Sequence, residues 1–279
     1  MIALIDADSM VYIIAWNFKD GDEFAQPAVE RSCDDFINTI LTLTQSDKYL
    51  GVFSSKLNFR HHNYLFKRYK GNRGPKDEWL TRWEPIIKNH MTKKWGFYTS
   101  PNLEADDIVV GYSAIHVEEP VIICSPDKDL RQAPGFHFDY KKSNGIDTVT
   151  PPDACKNLWA QVLTGDTVDN IAGLPGLGPA KVKVLFDAAT TTEEASDLVL
   201  MQVVRDQYIK YFGPHYGPMI YDQTLQTVMM IQPSHPLWDT YKHDIQSIKQ
   251  THVRDTPARD PELAEEVTVD LDALGWNLD

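Results

Sequence analysis

Short apolar runs recur through the first half of the chain, and acidic residues follow almost every one of them. IALID closes on Asp6, with Asp8 two residues later. GFYTS leads into NLEADD, which holds Glu104, Asp106 and Asp107, and PVIIC leads into SPDKDL, which holds Asp127 and Asp129. Short aliphatic runs of this kind mark strands buried on both faces. YLGVFSS reads as a further strand. Residues 33–45 and NLEADDIVVGYSAIHVE carry helical spacing, the latter entered from an Asn or Ser cap. Strand and helix in alternation predict an α/β fold with a mainly parallel sheet flanked by helices. Residues 135–150 read as a small β-excursion around Asn144-Gly145, and the chain turns helical from about residue 152.

In open α/β sheets, sites form beyond the carboxyl ends of the strands, where these acids are expected. A single aspartate after a strand is ordinarily a turn residue or a helix cap. A fourth cluster, Asp166 and Asp169 in GDTVDN, lies further along and is spaced by one helical turn. Asp6 and Asp8, two apart, point to one side of an extended chain. Four converging clusters need more than capping, because packed carboxylates repel unless cations neutralise them. All-oxygen donors favour Mg²⁺ or Mn²⁺ over zinc, and no histidine has a spacing that suggests a zinc set. The acids therefore predict a divalent-metal site. Two such ions activate water and stabilise the leaving oxygen of a phosphodiester.

The net charge of −13 argues at first against a nucleic-acid partner. Its distribution reverses that reading. Between Ser54 and Trp95 eleven Lys and Arg face only three acids, interleaved with Tyr64, Phe66, Tyr69, Trp79 and Trp83. A solvated helix face is the plain reading of a charge run, whereas cations among aromatics suit phosphate neutralisation with base stacking. Residues 174–186, LPGLGPAKVKVLF, then take the form of a helix–hairpin–helix. Gly176 and Gly178 let the backbone approach a phosphate, which accepts N–H bonds at the next helix's N-terminus. Pro179 suits the first helical turn, and Lys181 and Lys183 add positive charge. Alone, a Gly-Pro loop is a turn. After GDTVDN it reads as a grip on duplex backbone beside a cutting site.

The remaining features set bounds. No apolar run approaches the ~18 residues of a membrane span, and MIALIDADSMVY lacks the basic start of a signal peptide. Cys33, Cys124 and Cys155 are far apart without metal spacing, which fits a reduced, cytoplasmic protein. From about residue 250 the chain is acidic and Pro-containing and reads as a disordered solubilising tail. Docking to a single-stranded-DNA-binding protein or a polymerase is the alternative reading of that tail.

LIDAD, FRHHNYLFKRYKGNR, LEADD, SPDKDL and LTGDTVDNIAGLPGLGPAKV occur in an order and spacing similar to the 5′-nuclease (flap endonuclease) family. That family includes phage 5′→3′ exonucleases and the nuclease domain of bacterial DNA polymerase I. The resemblance covers roughly residues 1–190, and YDQTLQTVMMIQPSHPLW more loosely resembles the C-terminal region of small phage exonucleases. It implies a PIN-like catalytic domain over 1–150 with a basic helical arch at 56–95. A helical DNA-binding region over 151–250 follows, with a helix–three-turn–helix element at 163–186 that holds K⁺ in some members, then the tail at 251–279. It implies a monomer that hydrolyses DNA, and often RNA, at free 5′ ends, flaps or nicks by a two-metal mechanism. In a phage this would serve replication or recombination in the host cytoplasm.

Carried over by motif, Asp6, Glu104, Asp106, Asp107, Asp127, Asp129, Asp166 and Asp169 match metal-site acids. Lys70 and Arg73 match basic residues at the arch base, and Tyr69 matches a position that stacks on a base. Arg60 matches a phosphate contact, and Lys67 and Arg68 are further candidate DNA-binding residues. One departure stands out: Ser54 and Ser55 in VFSSKLNFR occupy the place where the family's second strand ends in an aspartate. Asp8 is expected to compensate in part, with weaker metal binding, a shift towards Mn²⁺ or slower turnover as the consequence. A branched-DNA-binding protein that does not cut, and a PIN-type ribonuclease, are the rival readings.

Overall fold

The structure is a computed structural model and describes residues 1–142, 145–189 and 197–257. In chain order the first part runs β1 (Ile2–Asp6), α1 (Asp8–Asn17), α2 (Gln26–Leu43), β2 (Lys48–Phe53), α3 (Arg60–Asn63), α4 (Glu78–Trp95), β3 (Tyr98–Thr99), α5 (Ala105–Ile115), β4 (Val121–Cys124), β5 (Gly135–Phe138) and β6 (Ile146–Val149). The second part runs α6 (Pro151–Thr164), β7 (Gly165–Asp166), β8 (Ile171–Ala172), α7 (Pro179–Ala189), α8 (Asp197–Val228), α9 (Trp238–Thr251) and β9 (Arg254–Asp255).

The main sheet has the order β3-β2-β1-β4-β5-β6. All neighbours from β3 to β5 are parallel, and β6 closes the far edge antiparallel to β5. Side chains alternate across a strand, so β1 feeds two cores at once. Ala3 and Ile5 pack with α1, α2 and α4, while Ile2 and Leu4 pack with α5 and α9. That double burial is why IALID is a continuous apolar run rather than an alternating one. Among the described residues no helix is long and apolar enough to cross a membrane.

The basic segment 56–95 is not one continuous arch. It divides into the single turn of α3, a loop over residues 64–77, and α4. Trp83, Ile87, Met91 and Trp95 recur every fourth residue of α4 and are all buried, so this stripe completes the core under α1 and α2. The Trp83 indole N–H donates to the Phe18 carbonyl (2.8 Å) and fixes the helix there. Accessible cations lie on the opposite face of α4, in the loop and at Lys56 before α3.

A third core joins α6, α7 and α8 with Tyr64 and Tyr69 from that loop. Pro151 opens α6 behind the N-cap Thr150, whose hydroxyl oxygen accepts the Asp153 N–H. Gly213 (φ 81°) breaks α8. The chain returns so closely that a Cβ on Gly217 would meet the Ile209 backbone at 2.6 Å. The 151–250 region is not wholly a separate unit, since Ile245 and Ile248 of α9 pack in the core of α5. Nor is the chain beyond 250 loose from its start. Arg254–Asp255 pair antiparallel with Lys48–Tyr49, and Thr256 donates to the Asp47 and Ser46 carbonyls. Asn144 and the tail from residue 258 lie outside the described residues.

Candidate active site

The chain winds outward from β1 to β2 and β3, then returns to the other side of β1 with β4. Strand order reverses there, and an open α/β sheet has its crevice at that point. A cavity of about 380 Å³ opens at this place, lined by Asp6, Asp8, Ser54, Lys70, Arg73, Glu104, Asp106, Asp127, Asp129, Asp166 and Asp169. Seven of the eight acids expected from the sequence meet here. Asp107 does not.

Asp6 ends β1 almost fully buried, its Oδ2 accepting the Ser125 hydroxyl (2.9 Å) and its Oδ1 the Asp8 N–H (3.2 Å). Burial, then the charge of Asp8, pushes the Asp6 carboxyl up to about 7. Asp127 and Asp129 follow β4 in a turn closed by the Asp129 N–H donating to Asp127 Oδ1 (2.8 Å). Burial and the neighbouring Asp127 charge push Asp129 up to about 8, and it shares a hydrogen bond with Asp166. Asp166 is held below the ordinary range against its own burial, by Asp129 and by the N–H groups of Asp169 and Val168. The two carboxylates thus act on each other in opposite directions, Asp129 raised and Asp166 lowered. Crowded acids that retain protons near neutrality are a donor set short of positive charge, and a hard divalent cation supplies it.

On the facing wall, α5 begins at Glu104, whose N–H donates to Asp107 Oδ2 (3.3 Å). Glu104 itself is the N-cap, not Asn102 or Ser100. Successive helical residues point about 100° apart, so Asp106 faces the cavity while Asp107 turns inward. There the Arg60 guanidinium takes Asp107 in a fork (2.7 and 2.8 Å) and also donates to Glu104 Oε2 (3.0 Å) and the Thr227 carbonyl (2.8 Å). Arg60 is 2% exposed. This corrects one sequence expectation, because Arg60 has no surface to offer a phosphate, and it places Asp107 in an internal ion pair outside the cavity lining. Glu104, Asp106 and Asp107 bring carboxylate oxygens within 4.8 Å of one another. With Asp107 held by Arg60, Glu104 and Asp106 remain to face an ion. Burial and the Asp107 and Glu104 charges hold the Asp106 carboxyl well above its usual range.

The basic loop supplies the third wall. Tyr69 is 3% exposed, and its hydroxyl bridges Glu104 Oε2 and Asp169 Oδ2, each at 2.8 Å. Its ring is therefore not free to stack on a base, which corrects a second expectation. Lys70 (φ 53°) donates to Glu104 Oε1 (2.5 Å), and Arg73 donates to Asp169 Oδ1 (2.7 Å). The loop is stitched to the Asp166–Asn170 turn by three more bonds: Lys70 N–H to the Asp169 carbonyl, Asn72 to the Thr167 carbonyl, and Asn170 to the Arg68 carbonyl. Lys67 and Arg68 are exposed on its outer side.

Beyond the turn, Gly165 and Gly173 cross so tightly that a Cβ on either would meet backbone within 2.2 Å. The chain then presents Gly176 (φ 80°) and Gly178 with open space above both. Lys181 reaches back to the Gly176 carbonyl (2.8 Å), and Lys183 pairs with Asp187.

Sequence reasoning missed Tyr12. It is 43% exposed and lines both the acidic cavity and an adjoining cleft of about 810 Å³ that also holds Lys56, Lys76 and Lys88. Trp79 backs its ring edge-on at 5.3 Å. The signal was its spacing four residues from Asp8, which puts both on one helix face.

A model of the 5′-3′ exonuclease N-terminal resolvase-like domain matches residues 1–151. DNA polymerase I of Rhizobium leguminosarum is 35% identical over 151 residues, 48% of this chain and 15% of that protein. A 5′-3′ exonuclease of Buchnera aphidicola is 33% identical over 141 residues, 45% of this chain and 47% of that one. The chain thus spans less than half the length of these two relatives. T5 5′-exonuclease with divalent metal ions (zinc) bound superposes with a TM-score of 0.64 at 16% identity, over 88% of this chain and 92% of that one, and so shares its fold. By its sequence over residues 1–151, the chain belongs to the 5′-3′ exonuclease family.

Proposed function

We propose that this protein is a metal-dependent 5′-nuclease that hydrolyses DNA phosphodiesters at free 5′ ends, flaps or nicks. The observation that carries the reading is one cavity gathering eight acids from four separate chain segments, with Lys70 and Arg73 at its rim. Asp6, Glu104, Asp106, Asp127, Asp129, Asp166 and Asp169 are the residues to hold two Mg²⁺ or Mn²⁺ ions. When bound, such ions supply an activated water and offset charge on the reacting phosphate.

The chain's own residues do the rest. Lys70 and Arg73, now paired with Glu104 and Asp169, can turn part of their hydrogen bonding to the incoming phosphate and stabilise its developing charge. Tyr69 and Arg60 keep Glu104 and Asp169 fixed beneath them. Tyr12 offers an exposed ring at the mouth for the terminal base, and the lysines of the adjoining cleft offer charge to its backbone. The exposed amides around Gly176–Gly178, with Lys181 and Lys183, suit duplex phosphates at a helix N-terminus.

Ser54 at the end of β2 is the observation on the side of a second reading, a branched-DNA binder that does not cut. A gel assay on labelled 5′-flap and nicked duplexes separates the two. A nuclease releases 5′ products in Mg²⁺ or Mn²⁺ and none in EDTA. A binder shifts the duplex in EDTA and yields no product with any metal. Including an RNA/DNA hybrid in the same assay decides whether RNA is also cut.

A further inference from the structure

We propose that Asp8 contributes a ligand oxygen to the metal site, at the place where β2 ends without an acid. The inference rests on the metal-site reading above and adds a residue to it. After Phe53 the chain continues as Ser54, whose hydroxyl oxygen accepts the Ala105 N–H (2.9 Å) at the start of α5. The serine is neutral, and this bond ties its hydroxyl to the helix. Its N–H donates to Asp8 Oδ1 (3.2 Å), while the Asp8 N–H donates to Asp6 Oδ1 (3.2 Å). The Asp8 side chain therefore reaches from the end of β1 to the end of β2, bringing a carboxylate to the strand end that has none.

Asp8 lines the cavity together with Asp6 and Asp127. Of the three cations lining the cavity, Lys70 is taken by Glu104 and Arg73 by Asp169, while Lys128 acts on Asp129 and Asp166. Among the described residues no Lys or Arg forms an ion pair with Asp8, and its nearest acidic neighbour is Asp6, whose Oδ1 accepts the Asp8 N–H. A half-buried anion placed against another without a cation is the arrangement that a bound cation resolves. The competing role is that of a first-turn acid on α1, favoured there by the helix dipole. That role gives no reason for metal affinity to depend on Asp8.

Calorimetric titration of the metal-free protein with Mn²⁺ distinguishes the roles, using wild type, Asp8→Asn, Asp6→Asn and the relocated double variant Asp8→Ser/Ser54→Asp. Circular dichroism and thermal unfolding without metal confirm that each variant folds. The proposal expects Asp8→Asn to weaken binding of at least one ion about tenfold or more, and the relocated acid to restore affinity to within about threefold. It is overturned if Asp8→Asn binds Mn²⁺ like wild type while Asp6→Asn does not, which leaves Asp8 a helix-end residue and the metal site intact. If Asp6→Asn also binds like wild type, or wild type binds no Mn²⁺, the metal-site reading itself fails. Should Asp8→Ser/Ser54→Asp fold and yet bind no better than Asp8→Asn, the claim that Asp8 stands in for an acid on β2 is overturned.

Discussion

Asp106 and Asp107 are neighbours in the chain with opposite tasks, and the difference makes a test at the level of single residues. Asp107 is spent on Arg60, and removing one partner of a buried ion pair leaves an uncompensated charge. Arg60→Ala is therefore expected to lower stability by about 3–5 kcal/mol, read as a shifted urea midpoint. Lys70 and Arg73 hold acids at the rim. Replacing either with alanine is expected to lower turnover about 10²–10³-fold, with single-turnover rates on a flap substrate as the check. For Tyr12, phenylalanine should retain most activity, whereas alanine should cost roughly tenfold or more in cleavage at low substrate. The raised carboxyls have a pH consequence. Asp6 near 7 and Asp129 near 8 keep protons when folded that an unfolded chain releases near pH 4. The folded state then binds more protons between about pH 4 and 8, so this contribution to metal-free stability falls as pH rises. Thermal unfolding from pH 5 to 8 should show Tm falling, less steeply in Asp129→Asn.

Among the elements, the hairpin entering α7 is separate from the cavity and should fail separately. Lys181→Ala is expected to weaken duplex binding without changing the single-turnover rate at saturation. The slope of log affinity against log salt should decrease by about one, measured by fluorescence anisotropy in EDTA. The same elements show what a sequence reveals. Acids after IALID, GFYTS and VIIC could be placed because the end of a buried strand has only one side open to a ligand. The burial of Arg60 and Tyr69 could not be read, because their partners are 47 and 100 residues away and a basic, aromatic stretch looks alike buried or bare. The stripe Trp83, Ile87, Met91 and Trp95 did carry a legible core signal, which the charge count of the same segment obscured. The pairing of β9 with β2 left no trace in a short polar stretch.

At the scale of the whole molecule, a chain of net charge −13 is arranged so that acids line one cavity while cations edge that cavity and the adjoining cleft. On the proposed function, local rather than total charge governs encounter with DNA, and that attraction weakens with salt. The fold makes this possible by bringing Asp6, Asp127, the Asp166–Asp169 turn and the start of α5 to one cavity. The central claim is that these acids hold the ions that cut DNA. Its most direct test is the rate of 5′-flap cleavage across a Mg²⁺ titration, compared between wild type and Asp106→Asn, with duplex affinity measured in EDTA. The account predicts product only with metal, a loss of 100-fold or more in Asp106→Asn on the scale of a lost transition-state stabiliser, and duplex affinities within about twofold of each other. Cleavage by wild type that persists in EDTA, or an Asp106→Asn variant that cuts at the wild-type rate, would contradict it.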